Sequence, residues 1–165
     1  MILGLSIPTF TLLHALLSVI GVAAGLIVME RLLRNRALGL SNTIFLAATI
    51  LTSATGFLFP ARSAAFTPGQ TLGAISLAVL LIAVAALYVG NLIGAWRWIY
   101  VVAAVMALYF NVFVGVVQAF TKVGRLRILA PTQTEPPFAL TQGAVLLFFL
   151  IVAVIALRRF RPPTA

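Results

Sequence analysis

The stretch IPTFTLLHALLSVIGVAAGLIVM, residues 7–29, sets the surroundings in which the whole chain must fold. It contains no charged residue, and its one imidazole, His14, is the only histidine of the chain. About 20 mostly apolar residues in a helix are enough to cross the hydrocarbon core of a bilayer. The stretch therefore predicts a membrane-spanning helix that carries an unusual ionisable side chain. No Lys or Arg precedes Arg31, so we expect a retained helix rather than a cleaved signal peptide.

The composition of the whole chain also predicts lipid surroundings. Of its 165 residues, 63% are hydrophobic and 8% are charged, which is too little charge to cover a soluble domain of this size. The formal net charge is +9, but the cations lie in short clusters between apolar runs. This pattern indicates membrane lipids, including anionic headgroups, as partners and argues against nucleic-acid binding.

Five apolar runs are each long enough to span a membrane. The predicted helices cover residues 7–29, 38–59, 70–95, 98–120 and 137–157. A helix unbroken from 70 to 120 would be far too long for one crossing, so the segment GAWRW (94–98) is expected to turn a helical hairpin. We expect an all-α transmembrane protein, a five-helix bundle that forms a single integral membrane domain over residues 1–165.

The distribution of Lys and Arg predicts the orientation of this bundle. With the N-terminus outside, the inner side holds Arg31, Arg34, Arg36, Arg97, Arg158, Arg159 and Arg161, and the outer side holds Arg62, Lys122, Arg125 and Arg127. The expected topology is therefore N-terminus outside and C-terminus cytoplasmic. The loop after the fourth helix is the exception, because it places three cations outside.

Polar side chains gather in the half of the bundle that this topology places outside. The candidate ligand-binding residues there are His14, Asn111, Gln118 and Gln142. A polar group left unpaired in lipid is unfavourable, so these groups are expected to face one another or a small wet cavity. The alternative is that the amides link helices structurally and that a neutral His14 bonds to Asn111 or Ser18.

The loop TKVGRLRILAPTQTEPPFALTQ (121–142) alternates cations with aliphatic residues, which is typical of a segment lying in the membrane interface. Arg125 and Arg127 are expected at the mouth of the polar pocket, where they suit a carboxylate or a lipid headgroup. An ordinary interfacial connection is the alternative. Pro137 is expected to start the last helix. Glu135 lies just before this helix, where its negative charge suits the positive helix end, and it is also placed to pair with Arg125 or Arg127.

Glycines four residues apart occur in the first and third helices, as Gly21/Gly25 and Gly90/Gly94. Such pairs let helix backbones approach closely in lipid, and they predict a tight contact between these two helices. The alternative is that glycine is simply common in membrane helices.

The reactive side chains argue against enzymatic chemistry. The chain has no cysteine, and one histidine supplies neither the two axial ligands of a bis-histidine haem nor the three ligands of a catalytic zinc. Glu30 lies four residues before Arg34, which is typical of a surface pair on one helix. The sequence predicts no catalytic residue, no metal site and no particular cofactor.

These observations leave three functions open. The first is a non-enzymatic membrane protein that binds a lipophilic or anionic small ligand in its outward-facing polar half, or that serves as an accessory subunit. The second is a small-solute transporter or channel, for which Tyr88 and Asn91 would have to continue the polar path through the inner half. The third is a structural role in a homo-oligomer or beside another membrane protein.

Three stretches, TGFLFP (55–60), GAWRWIYV (94–101) and APTQTEPPF (130–138), resemble small multi-pass membrane proteins of many bacterial genomes. The likeness covers most of the chain. It implies location in a bacterial inner membrane, and it implies no particular activity or functional residue.

Overall fold

A computed structural model describes residues 1–60 and 67–161. These residues form six helices: α1 (Ile7–Leu33), α2 (Gly39–Gly56), α3 (Pro68–Tyr88), α4 (Ala95–Lys122), α5 (Gly124–Leu129) and α6 (Pro136–Arg159). The described part of the chain contains no β-strand. The prediction of an all-α fold is therefore confirmed.

Four of these helices, α1, α3, α4 and α6, are long and apolar enough to cross a membrane, which indicates a membrane protein. The second predicted run corresponds to α2, which has 18 residues and does not belong to this set of four. The six residues of α5 lie in the loop that was expected to follow the membrane interface.

Local sequence explains where the helices begin. At α1, the Ser6 hydroxyl accepts a hydrogen bond from Thr9 N–H at 3.3 Å. At α3, Thr67 and Gln70 form a reciprocal capping box just before and within the first turn. Proline in the first turn favours all three starts at α1, α3 and α6, because an N–H there has no helical acceptor in any case.

The core of the bundle is built around α4, which packs against α1, α3 and α6, while α2 packs against α1 and α3. Tyr100, Ala107 and Leu108 of α4 are almost completely buried. By contrast, only 22% of the most apolar window of α6 is buried, so most of that helix is left for lipid or a partner.

The connections between helices form two opposite ends. The arginine-rich end comprises the α1–α2 connection (34–38), the α3–α4 turn (89–94) and the residues after α6. It carries Arg31, Arg34, Arg36, Arg97, Arg158, Arg159 and Arg161. The α5 end comprises the N-terminus, the end of α2, α5 and the start of α6. Arg62, which was predicted to lie at that end, falls outside the described residues.

Candidate functional site

Four buried polar residues run along the inward face of α2. They are Asn42, Thr49, Thr52 and Ser53, and we call them the polar seam. Thr49 follows Asn42 by seven residues, and Thr52 and Ser53 follow Thr49 by three and four, spacings that keep all four on one side of a helix. This face explains why α2 is less apolar than its neighbours, and it brings hydrogen-bonding groups into the interior of the bundle.

The middle of the polar seam meets α4 and α1. Asn111 Nδ2 donates to Thr49 Oγ1 at 3.2 Å, and both residues are buried. Gly21 of α1 lies against this pair, since a Cβ there would be 3.1 Å from Thr49 Oγ1 and 3.4 Å from Asn111 Nδ2. Because glycine has no side chain, it leaves space for the hydrogen bond between the Asn111 amide of α4 and the Thr49 hydroxyl of α2.

The polar seam continues toward the α5 end through Ser53 and Thr52. Ser53 Oγ donates to Ser76 Oγ of α3 at 3.2 Å. Thr52 Oγ1 is buried, and no residue of the described ranges hydrogen-bonds to it. Because an unpaired buried hydroxyl is unfavourable, a polar atom that reached Thr52 would be stabilised there.

His14 of α1 contacts the end of α2. Its Nδ1 lies 2.9 Å from Thr55 Oγ1, and the Thr55 hydroxyl lies 2.7 Å from the carbonyl oxygen of Leu51. A hydroxyl has one hydrogen, and the shorter bond to Leu51 uses it. Nδ1–H of a neutral ring therefore donates to Thr55, which leaves Nε2 as an acceptor without a hydrogen-bond partner in residues 1–60 and 67–161.

The imidazole of His14 is half-buried between aromatic side chains at the α5 end. Its ring meets that of Phe59 edge-on, with centroids 5.2 Å apart. Phe59 meets Phe10 in the same manner at 5.1 Å. An imidazole whose Nε2 has no partner in the described residues thus contacts one apolar ring, Phe59, which in turn contacts a second, an arrangement that suits a lipophilic molecule carrying one donor group.

The structure brings two of the four predicted pocket residues to α2 and places the other two elsewhere. His14 and Asn111 face α2, although they pair with threonines of that helix and not with each other. Gln142 of α6 donates through Nε2 to the carbonyl oxygen of Phe113 at 3.2 Å. Gln118 is exposed on the surface of α4. The four side chains do not meet in one pocket, because His14, Asn111 and Gln142 bond to three different neighbours and Gln118 is exposed.

The two predicted cations at the pocket mouth, Arg125 and Arg127, lie exposed on α5, a helix with no buried residue. Neither pairs with Glu135, so that predicted ion pair is wrong. The Glu135 carboxylate accepts hydrogen bonds from the Thr132 hydroxyl at 2.8 Å and from Thr134 N–H at 3.1 Å. Desolvation alone raises the pKa of Glu135. These hydrogen bonds, together with that from Thr132 N–H, lower the pKa by more than desolvation raises it, so the pKa lies below its ordinary value.

The ion pair predicted on α1 is confirmed. Arg34 Nε lies 2.9 Å from Glu30 Oε1, and Arg36 also approaches this carboxylate at 3.7 Å. Both partners are substantially exposed, so the pair organises the arginine-rich end more than it stabilises the fold.

A buried pair that sequence reasoning missed lies at the other end of the polar seam. Tyr100 of α4 is fully buried, and its hydroxyl donates to Asn42 Oδ1. Tyr88 and Asn91, which a transporter would need for a polar path through this half, are exposed. The position of Asn42 two helical turns before Thr49 could have identified it as a buried polar residue of the same face. Tyr100 gave no such indication, because it follows two tryptophans and looks like an interfacial aromatic.

The first glycine pair faces α2 and α4, not α3. A Cβ at Gly25 would lie 2.6 Å from Leu108 Cδ1 and 2.9 Å from Phe45 Cδ2, so only glycine fits without displacement. Together with Gly21, this position lets α1 pack closely on two neighbours. The predicted tight contact of this pair with α3 is wrong.

The second glycine pair shapes the turn before α4. Trp96 covers Gly90, and a Cβ there would lie 2.2 Å from the ring carbon Cγ. Gly94 has a φ of +56° and open space around it, so it serves the backbone conformation of the turn and not helix packing.

No known protein family, curated protein or solved structure matches this chain. Two features of the described residues bear most on function. They are the polar seam of α2 and, at the α5 end of the bundle, the Nε2 of His14, which has no partner in those residues.

Proposed function

We propose that the chain is a non-enzymatic, multi-pass protein of a bacterial inner membrane that binds a small lipophilic ligand, or acts as an accessory subunit, through the half of the bundle that faces away from the cytoplasm. The observation that supports the proposal is the imidazole of His14, whose ring meets Phe59 edge-on and whose Nε2 has no hydrogen-bond partner in residues 1–60 and 67–161. Ionisable residues inside a membrane are functional candidates by default, because burying them is energetically costly and they are therefore rare where no function requires them.

The proposed topology has five crossings, with the N-terminus outside and the C-terminus cytoplasmic. The connection after α1, the end of α3 and Phe160 all line one cavity at the arginine-rich end. Since α2 and α3 together return the chain to the end where α1 finished, this arrangement supports α2 as a fifth crossing. Seven arginines at that end support a cytoplasmic location by the positive-inside rule.

The ligand we infer has an apolar ring or chain and a hydroxyl or N–H group. The donor would bond to His14 Nε2, and the apolar part would contact the edges of Phe10 and Phe59. Arg125 and Arg127 lie on α5 at the same end of the bundle and would favour a ligand that also carries negative charge.

Native mass spectrometry of the full chain, gently extracted in detergent, tests this proposal. We expect a small molecule to leave the wild-type protein on activation in stoichiometric amount. His14→Phe keeps a ring but removes the acceptor, so it should release the ligand. His14→Gln restores an acceptor and should retain part of it. The matched control is Gln118→Leu, an exposed change on α4 that should leave the adduct intact. Equal adducts on wild type and His14→Phe would overturn the proposal.

A small-solute transporter or channel is the second candidate, and the pair Tyr100–Asn42 favours it. This pair carries buried hydrogen-bonding groups into the half of the bundle near the arginine-rich end. With Thr49 and Ser53, they form a line of polar groups along α2. Solute flux into liposomes that Thr49→Val abolishes would support transport, whereas sealed liposomes would support binding.

A further inference from the structure

A cavity of about 230 Å³ lies at the arginine-rich end, on the opposite side of the bundle from His14. It is formed where the α1–α2 connection, the end of α3 and the residue after α6 come together. Its lining includes Asn35, Arg36, Leu38, Leu87, Leu92 and Phe160. Because four of these side chains are large and apolar, the cavity has an apolar floor beneath a polar rim.

Hydrogen bonds to the C-terminal segment hold the wall of this cavity in place. The Arg97 guanidinium donates to the carbonyl oxygen of Phe160. One residue later, Arg161 N–H donates to Asn35 Oδ1 at 2.6 Å. Phe160 is 2% exposed, so its side chain is packed into the bundle and is not a loose terminal side chain. The cavity is thus built from segments distant in sequence that are tied to one another.

The charge around the cavity is strongly positive. Seven arginines belong to this end, and in residues 1–60 and 67–161 its one side-chain carboxylate is Glu30, because Glu135 lies at the α5 end. Glu30 is shared between Arg34 and Arg36. Most of these arginines therefore have no side-chain carboxylate of the described residues as a partner, and this surplus of positive charge is complementary to an anionic headgroup.

We propose that this cavity binds an anionic phospholipid, with its phosphate near Arg36 and the first carbons of an acyl chain on Leu87 and Leu92, two partly exposed leucines of the lining. The position fits, since the ends of membrane-spanning helices lie at the level of lipid headgroups. The size fits as well, because pockets for whole drug-sized molecules measure about 300–1,000 Å³, and this smaller cavity suits one part of a lipid. This site is independent of the ligand proposed at His14.

The test uses the full chain in mixed micelles that contain phosphatidylglycerol and phosphatidylethanolamine with identical acyl chains, analysed by native mass spectrometry. We expect preferential retention of phosphatidylglycerol. Arg36→Gln should weaken that retention about fivefold, the worth of one arginine at an anionic surface. The control Lys122→Gln removes an exposed cation at the α5 end and should leave retention unchanged. Ala37→Trp, at the exposed wall of the cavity, should displace the lipid without any loss of charge.

Several outcomes would overturn the inference. Equal retention of the two phospholipids would show that the arginines do not select the headgroup. An equal loss in Lys122→Gln and Arg36→Gln would assign the effect to net charge alone. Competition by glycerol phosphate as effective as that of the full lipid would show that the apolar floor contributes nothing and that the occupant is a free phosphate. The unfolding temperature of each variant, compared with wild type, identifies any that lose lipid because they fail to fold.

Discussion

A single amide, Asn111, joins α4 to the polar seam, and its replacement measures what the link contributes. Asn111→Leu keeps a similar volume but removes the donor to Thr49 Oγ1. We expect a loss of about 0.6–2 kcal/mol in the free energy of unfolding, the range for interhelical hydrogen bonds in membranes. Reversible unfolding in mixed micelles with increasing SDS measures it. Gln118→Leu, an exposed change on the same helix, should cost little, and an equal cost for both would refute the link.

Gly25 provides a second test at the scale of one residue. Gly25→Ala forces a methyl group against Leu108 and the buried ring of Phe45, and overpacking of this kind costs about 1–3 kcal/mol. Gly115→Ala on α4 is the matched control, because nothing lies within 4 Å of its added Cβ. In a helix that control should stabilise by roughly 0.5–1 kcal/mol. The same unfolding assay should therefore give opposite signs, and equal signs would contradict the packing described for α1.

At the scale of elements, the carboxylate of Glu135, the residue just before α6, holds the preceding loop through Thr132 and Thr134. The pKa of this carboxyl is lowered from its usual 4.5 by hydrogen bonds from Thr132 and Thr134 that outweigh desolvation. A lowered pKa in the fold means that the ionised group stabilises above pH 4.5 and that this contribution disappears as the pH falls through the lowered value. The difference in unfolding temperature between wild type and Glu135→Gln should thus shrink from pH 7 to pH 3. A difference that stays constant with pH would refute this role.

Among the elements, the apolar runs located the long helices well but not the end of α3. That helix was predicted to reach residue 95 and ends at Tyr88. The residues that follow are mostly apolar, and apolar residues in a sequence look alike whether they lie in a helix or in a turn. The chain turns because Asn91 and Leu92 adopt positive φ values of 47° and 57°, a conformation that is unfavourable for leucine and that hydropathy does not encode.

The candidate site was predictable to the level of helix faces and no further. Periodicity correctly turned His14 and Asn111 toward the interior, since residues three and four apart share a face. It did not identify Thr55 and Thr49 as their partners, because the residue that lies opposite depends on the rotation and depth of the neighbouring helix. Asn42 escaped for the same reason, as its partner Tyr100 is fixed only once α2 and α4 are packed.

At the scale of the whole molecule, the two ends differ in chemistry. The arginine-rich end has a cavity with an apolar floor and a cationic rim. The α5 end has a histidine against Phe59, which in turn contacts Phe10. Between the two ends, the polar seam is satisfied mainly by pairs of side chains from adjacent helices. This pairing favours our proposal of separate ligand sites at the two ends over a continuous path between them.

The proposed topology predicts which residues are reached from outside the cell. Because the chain has no cysteine, single introduced cysteines measure this directly. Thr132→Cys at the α5 end should react with a membrane-impermeant maleimide added to intact cells. Ala37→Cys and Ile93→Cys, both exposed at the arginine-rich end, should react only after the membrane is opened. Protection of Thr132→Cys would invert the orientation. Labelling of Ala37→Cys and Ile93→Cys from opposite sides would mean that α2 does not cross, because two crossings, α2 and α3, are needed to return the chain to the same side.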